Sequence, residues 1–385
     1  MKDVPDWKIR LYVQGIFVGV LALIAVALLG EVSRQNWHTR VTAYPTRTET
    51  AVEARAQQLL NSMTLEEKVG QMFLITCSAK EREAVIEQYA PGGIQLTQAD
   101  FEGRSKHKVS ALVADYQSMS HIPMLIGVTE EGGAAVPVSS NRDYRKLPFL
   151  SARELYTTGG LSLVETDTEE KCSLLKELGI NTNFAPVADV TTEAVGAMYD
   201  RAVGQPAPTT ARYVRSVVSV MGREKTIAAV KHFPGYGNLT GDTAAESVTD
   251  TRTMEELTSV DFLPFTEAIA EGVPIIVVGH MTCTAADEAY PASLSKEVHK
   301  VLRRDLGFDG VVATDDLTAG AIAAYCDGET AAVTAIQAGN DLICTSDTTH
   351  VEAVLQAVRM GAISEERIDE SVLRILKLKI RYNLI

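Results

Sequence analysis

"SVDFLPFTEAIAEGVPIIVVGH", residues 259–280, holds the pattern that decides the fold. Its first half reads as a helix that stops at Gly272, and glycine ends helices because it accepts a left-handed backbone. "PIIVVG", residues 274–279, then reads as a short apolar strand. A strand apolar on both faces belongs to a parallel sheet covered on both sides. His280 stands at its carboxyl end.

The same unit recurs in both directions. Further strand candidates are 71–76, 92–97, 123–128, 180–187, 226–230, 310–314 and 341–345. Helical stretches lie between them, among them "EEKCSLLKELG", "KEVHKVLRRDLG" and "TAAVTAIQAG". Thr64 and Glu67 have the capping-box spacing of a helix start. In the last helix, Ile368, Val372, Ile375 and Leu376 form an apolar stripe. Eight strands alternating with helices predict an α/β fold, a (β/α)8 barrel of the TIM type in one domain. A doubly wound open sheet is the alternative. Both put chemistry at the carboxyl ends of strands.

The totals agree with such a domain. Apolar residues make up 46% of the 385, enough for a sizeable core. The net charge of −14, with no basic stripe, argues against nucleic acid as a partner. The five cysteines (Cys77, Cys172, Cys283, Cys326 and Cys344) are scattered without zinc spacing and read as small core residues. No disulfide framework, metal or cofactor is expected. The motifs of dinucleotide, P-loop, zincin and α/β-hydrolase sites are all missing.

Residues 11–30 carry no charge. At about 1.5 Å per helical residue they cover a bilayer core. Lys2, Lys8 and Arg10 precede them, which favours an inside amino terminus. The expected organisation is a cytoplasmic segment 1–10, a transmembrane helix 11–30, a stalk 31–56 turning helical toward its end, and a barrel domain 57–385. The domain would then be extracytoplasmic on the cell membrane, or secreted if 11–30 is a cleaved signal sequence.

The strand ends carry a biased set of residues. Strand three ends in Glu130 and Glu131, strand four near Asp189, strand five in Lys231 and His232, strand six at His280, and strand seven in Asp315 and Asp316. Acids and cationic donors on one rim suit hydrolysis of a polar substrate.

At these residues the chain resembles a known family. "MTLEEKVGQMF", "KHFPGYG", "ASLSKEVHKVLRRDLGFDGVVATDDL" and "GAISEERIDESVLRIL" are similar, in order, to glycoside hydrolase family 3 enzymes. The branch they resemble is the single-domain bacterial β-N-acetylglucosaminidases (β-N-acetylhexosaminidases). The resemblance implies a β/α barrel and retaining hydrolysis of β-N-acetylglucosaminides such as cell-wall fragments. Asp315 would be the nucleophile, and Lys231, His232 and Arg201 would bind the sugar.

The resemblance also exposes gaps. In the family the loop after the lysine-histidine pair carries Asp-x-His, whose histidine is the acid/base. Here the triplet is Asp242, Thr243, Ala244. Asp242, with its proton affinity raised by burial, or Glu246 would have to replace the histidine. Tyr236 is a less usual candidate. Thr129, Ala134 and Pro137 stand where the family has an aspartate and two arginines. Two readings follow: a membrane-bound glycosidase with a different acid/base, or a degenerate hydrolase that only binds a glycan or a partner.

Overall fold

The computed structural model describes residues 47–385; the expected anchor at 11–30 and most of the expected stalk lie outside the described residues. The end of the expected stalk falls in a helix, Arg47–Leu60. Among the described residues no helix is long and apolar enough to cross a membrane.

All eight expected strands form. They are β1 (Phe73–Thr76), β2 (Gly93–Gln95), β3 (Leu125–Val128), β4 (Thr182–Asn183), β5 (Ile227–Phe233), β6 (Ile275–Val278), β7 (Val311–Thr314) and β8 (Ile343–Thr345). All pair in parallel, in the order β8-β1-β2-β3-β4-β5-β6-β7. A single parallel bridge, Ala313↔Leu342, joins β7 to the residue before β8. The sheet is therefore a nearly closed barrel-like ring, not an open sheet with two free edges. The strands "LIGV", "IIVV" and "VVAT" are buried throughout, as a sheet covered on both faces requires.

The helices follow from local chemistry. Thr64 and Glu67 form the capping box that starts Leu65–Gln71. The helix Glu365–Arg381 buries Ile368, Val372, Ile375 and Leu376 completely. They join an apolar cluster that includes Met72, Phe73, Leu342 and Ile343.

Three elements depart from expectation. Strand four is two residues long, because the Ala185 N–H turns back to donate to Asn183 O at 2.8 Å instead of joining β5; pairing resumes only as the bridge Val187↔Lys231. Strand five runs past Val230 to Phe233, and its register against β6 shifts between Lys231 and Phe233. That bulge lets two consecutive residues, Lys231 and His232, both turn toward the barrel mouth. The helix expected at "KEVHKVLRRDLG" ends in one π turn, Val301–Asp305.

Candidate active site

The carboxyl ends of β3 to β7 bring their polar residues to one mouth. Asp315 directly follows β7, and its backbone N–H donates to Val278 O on β6 at 3.0 Å. Its side chain is 43% exposed, so a substrate can reach it from the mouth. Oδ1 accepts from the Asp316 N–H at 3.0 Å, and Oδ2 lies 3.9 Å from His232 Nε2. Enclosure alone would raise the Asp315 pKa. His232, His280 and Lys231 outweigh it and hold the carboxyl below its ordinary range, as a nucleophile requires.

His232 is set by Asp189, a buried residue beyond β4. Asp189 Oδ2 accepts from His232 Nδ1 at 2.8 Å. Its Oδ1 accepts from the Tyr236 N–H at 2.9 Å. With Nδ1–H committed to the carboxylate, Nε2 is the nitrogen that faces Asp315. His280, at the end of β6, works on the other side. Its Nε2–H donates to Asp316 O at 2.9 Å, and its Nδ1 accepts from the Ser293 hydroxyl at 2.7 Å. Burial lowers the His280 pKa, against the charge of Asp315, which raises it. Asp316 is a turn carboxylate, since its Oδ1 accepts from the N–H and hydroxyl of Thr318.

Lys231 and Arg201 meet on a single carboxylate, Glu131. Lys231 Nζ donates to Glu131 Oε1 at 2.6 Å; Arg201 Nη2 reaches Oε1 at 2.6 Å, and its Nε reaches Oε2 at 2.9 Å. Burial would raise the Glu131 pKa, but Lys231 and Arg201 outweigh it and bring it down to about 2. Two cations share one anion, and Lys231 has two further N–H donors to offer. In the enclosed mouth such donors are suited to sugar hydroxyls that have lost their water.

The neighbouring groups differ in kind. Glu130, beside Glu131, points away from the chemistry and accepts from the N–H groups of Val138 and Ser139 and from the Ser139 hydroxyl. It ties down the loop that carries Ala134 and Pro137. Gln95 Nε2 donates to the Thr129 hydroxyl at 3.2 Å, so the wall across β2 and β3 is neutral. Gly127 makes room for that glutamine, because a Cβ there would lie 2.4 Å from Gln95 Oε1.

The structure thus brings Asp315, His232, Lys231 and Arg201 together. Asp242 makes no contact with them. It is exposed, and its Oδ1 accepts from the Ala244 N–H at 2.9 Å. The burial that was to prepare it as an acid is absent in this state of the loop. Glu246 is likewise exposed. Glu131, Asp189 and His280 are functional neighbours whose roles the sequence did not assign. Their position at strand ends was the available signal.

The cysteines divide. Cys172 and Cys283 are buried, as expected of core residues, but Cys77, Cys326 and Cys344 are half-buried. Cys344, on β8, has its pKa pushed well up by burial, with Asp315 and Asp316 adding to the effect, so its thiol is neutral. Among the described residues no group of three or more His, Cys, Asp or Glu is placed to hold a metal ion.

Comparison with known proteins gives a consistent picture. The model of the "Glycosyl hydrolase family 3 N terminal domain" matches residues 64–378. The chain is 30% identical over 329 residues to the β-hexosaminidase LpqI of Mycobacterium tuberculosis, covering 81% of this chain and 82% of that one. It is 31% identical over 283 residues to a β-hexosaminidase of Methylococcus capsulatus, covering 73% and 83%. A solved β-N-acetylglucosaminidase of glycoside hydrolase family 3 from a Paenibacillus species superposes with a TM-score of 0.76 at 32% identity. That match covers 84% of this chain and 63% of the other.

Proposed function

The chain belongs to glycosyl hydrolase family 3, and on that premise we propose that it hydrolyses β-N-acetylglucosaminides with retention, Asp315 being the nucleophile. The observation that carries this reading is the setting of Asp315: open to the mouth, beside a histidine fixed by Asp189, with a lysine–arginine clamp alongside. It is a β-hexosaminidase-like hydrolase, as its relatives are named.

Two displacements make up the reaction. Asp315 attacks the anomeric carbon, the bond to the leaving oxygen breaks, and that oxygen takes a proton from an acid. Water then gives a proton to the same group and attacks the anomeric carbon, which releases Asp315. Lys231, His232 and Arg201 hold the sugar. The acid/base comes from the turn 242–246, as Asp242 or Glu246, after movement of the glycine-rich loop before it. The sheet is read as a β/α barrel over 57–385. Residues 31–56 serve as a stalk and 11–30 as the anchor, with 1–10 in the cytoplasm and the barrel facing cell-wall fragments outside. The binding-only alternative draws no support from these relatives, whose names are those of glycosidases.

Release of 4-nitrophenol from 4-nitrophenyl N-acetyl-β-glucosaminide tests the reading. The full chain should turn the substrate over, and Asp315→Asn should not. Equal rates in the two would remove Asp315 from the chemistry.

A further inference from the structure

The turn 242–246 is held from two sides. Its backbone closes on itself, because the N–H groups of Ala245 and Glu246 both donate to Asp242 O at 2.9 Å. On the side of the nucleophile, Gly320 N–H donates to Ala244 O at 2.8 Å, and Ala321 N–H donates to Thr243 O at 3.1 Å. On the opposite side stands Tyr236. Its hydroxyl is bonded to the Thr243 hydroxyl and also faces the Thr243 N–H. The two carboxylates of the turn flank this point of attachment.

The other end of Tyr236 is in the catalytic mouth. Its N–H holds Asp189, and its ring meets His232 edge-on, with centroids 5.6 Å apart. We infer that Tyr236 is a positioning residue, tethering the turn that carries the acid/base to the Asp189–His232 pair beside the nucleophile. The inference rests on the glycosidase reading above. Tyr236 is 2% exposed, and a tyrosine so buried could be simple filling. Its hydroxyl argues otherwise, because a phenylalanine fills the same space without joining Thr243. Burial also pushes its pKa up to about 12, so the hydroxyl stays protonated and serves as a tether and not as the acid.

The test uses Tyr236→Phe, Thr243→Val and the double variant of the full chain. Two aryl N-acetyl-β-glucosaminides separate proton donation from everything else. The 2,4-dinitrophenyl compound leaves without a proton, and the phenyl compound needs one. Each single variant should lower kcat on the phenyl substrate about tenfold or more, a fraction of the ~10²–10⁴ that acid/base catalysis supplies. On the dinitrophenyl substrate kcat/KM, which reports only the first displacement, should hardly move, while its kcat falls if the second displacement, which needs the same group as base, limits it. The double variant should be no worse than either single one, since both remove one shared contact. Hydrogen exchange at Thr243, Ala244, Gly320 and Ala321 should quicken in all three.

Equal losses of kcat/KM on the two substrates, or additive losses in the double variant, would overturn the positioning role. Unchanged exchange would overturn the tether, whatever the rates. A wild-type chain that releases neither phenol would remove the glycosidase reading and the catalytic role together. Exchange alone would then decide whether the tether exists.

Discussion

At the scale of the residue, Glu131 deserves the closest accounting. It is one carboxylate between two cations, and its removal leaves both without the counter-charge to which they are hydrogen-bonded. Glu131→Gln should cost roughly 3 kcal/mol, the low end for breaking a buried pair, because Arg201 is 30% open to water. The pH dependence has a definite sign. A carboxyl held at about 2 in the fold, against about 4.5 unfolded, stabilises the fold above 4.5 and loses that effect as pH falls through 2. Thermal melts of wild type and variant should therefore differ at pH 7 and converge near pH 2. Activity should fall as well, since Lys231 would lose its fixed position. At this scale the sequence was informative about Asp315, Lys231, His232 and Arg201, which stand in quotable motifs. It was silent about what holds them. The partners of Glu131 lie 70 and 100 positions along the chain, and only the ring of strands makes them neighbours.

At the scale of the element, the loop after β5 and the short helix Gly320–Ala323 are fitted to each other without room to spare. A Cβ on Gly320 would lie 2.3 Å from Ala245 O, a backbone atom that cannot swing aside. Gly320→Ala should displace the turn 242–246 and lower kcat on the phenyl substrate. The Tm should change by a few degrees at most, because the turn is exposed except at Thr243 and joins no apolar core cluster. A loss of the whole fold would show that the contact is structural. The strands were legible because parallel strands buried on both faces are apolar without interruption. Their ends were less so. Strand five gained Lys231 and His232 because Glu131 and Asp189 give those polar side chains partners inside the sheet, which no local pattern announces. Strand four shrank where the Ala185 N–H turns back to Asn183 O.

At the scale of the whole molecule, the last helix carries a buried charge site beside Gln71, which precedes the amino end of β1 rather than standing at a carboxyl strand end. Lys379 is fully buried, and its Nζ donates to Gln71 Oε1 at 2.7 Å. Burial lowers its pKa to about 7. Between that value and about 10.5 the unfolded chain holds the extra proton, so stability rises with pH across the window. Lys379→Met should stabilise the protein most at or below pH 7, and the gain should fade toward pH 10. Denaturant titrations at pH 6, 8 and 10 measure it, and a constant difference would contradict the buried ammonium. The count of eight strands was legible at this scale and pointed to a barrel, with an open sheet as the alternative; which residues bring the ends of the sheet together was not legible. The single bridge that nearly closes the ring, Ala313↔Leu342, and the pairing of β1 with β8 join residues with no common signal in the sequence.

That closure has a consequence for how the protein is made. β1 is translated first and β8 last, yet they are neighbours. Until Leu342 and β8 leave the ribosome, the nascent sheet has two unpaired margins, at β1 and at β7. Such margins recruit strands from other chains. The interval between synthesis of β7 and arrival of the final helix is therefore when the chain depends most on chaperones. A slow codon cluster placed there would lower the yield of soluble protein without altering one amino acid.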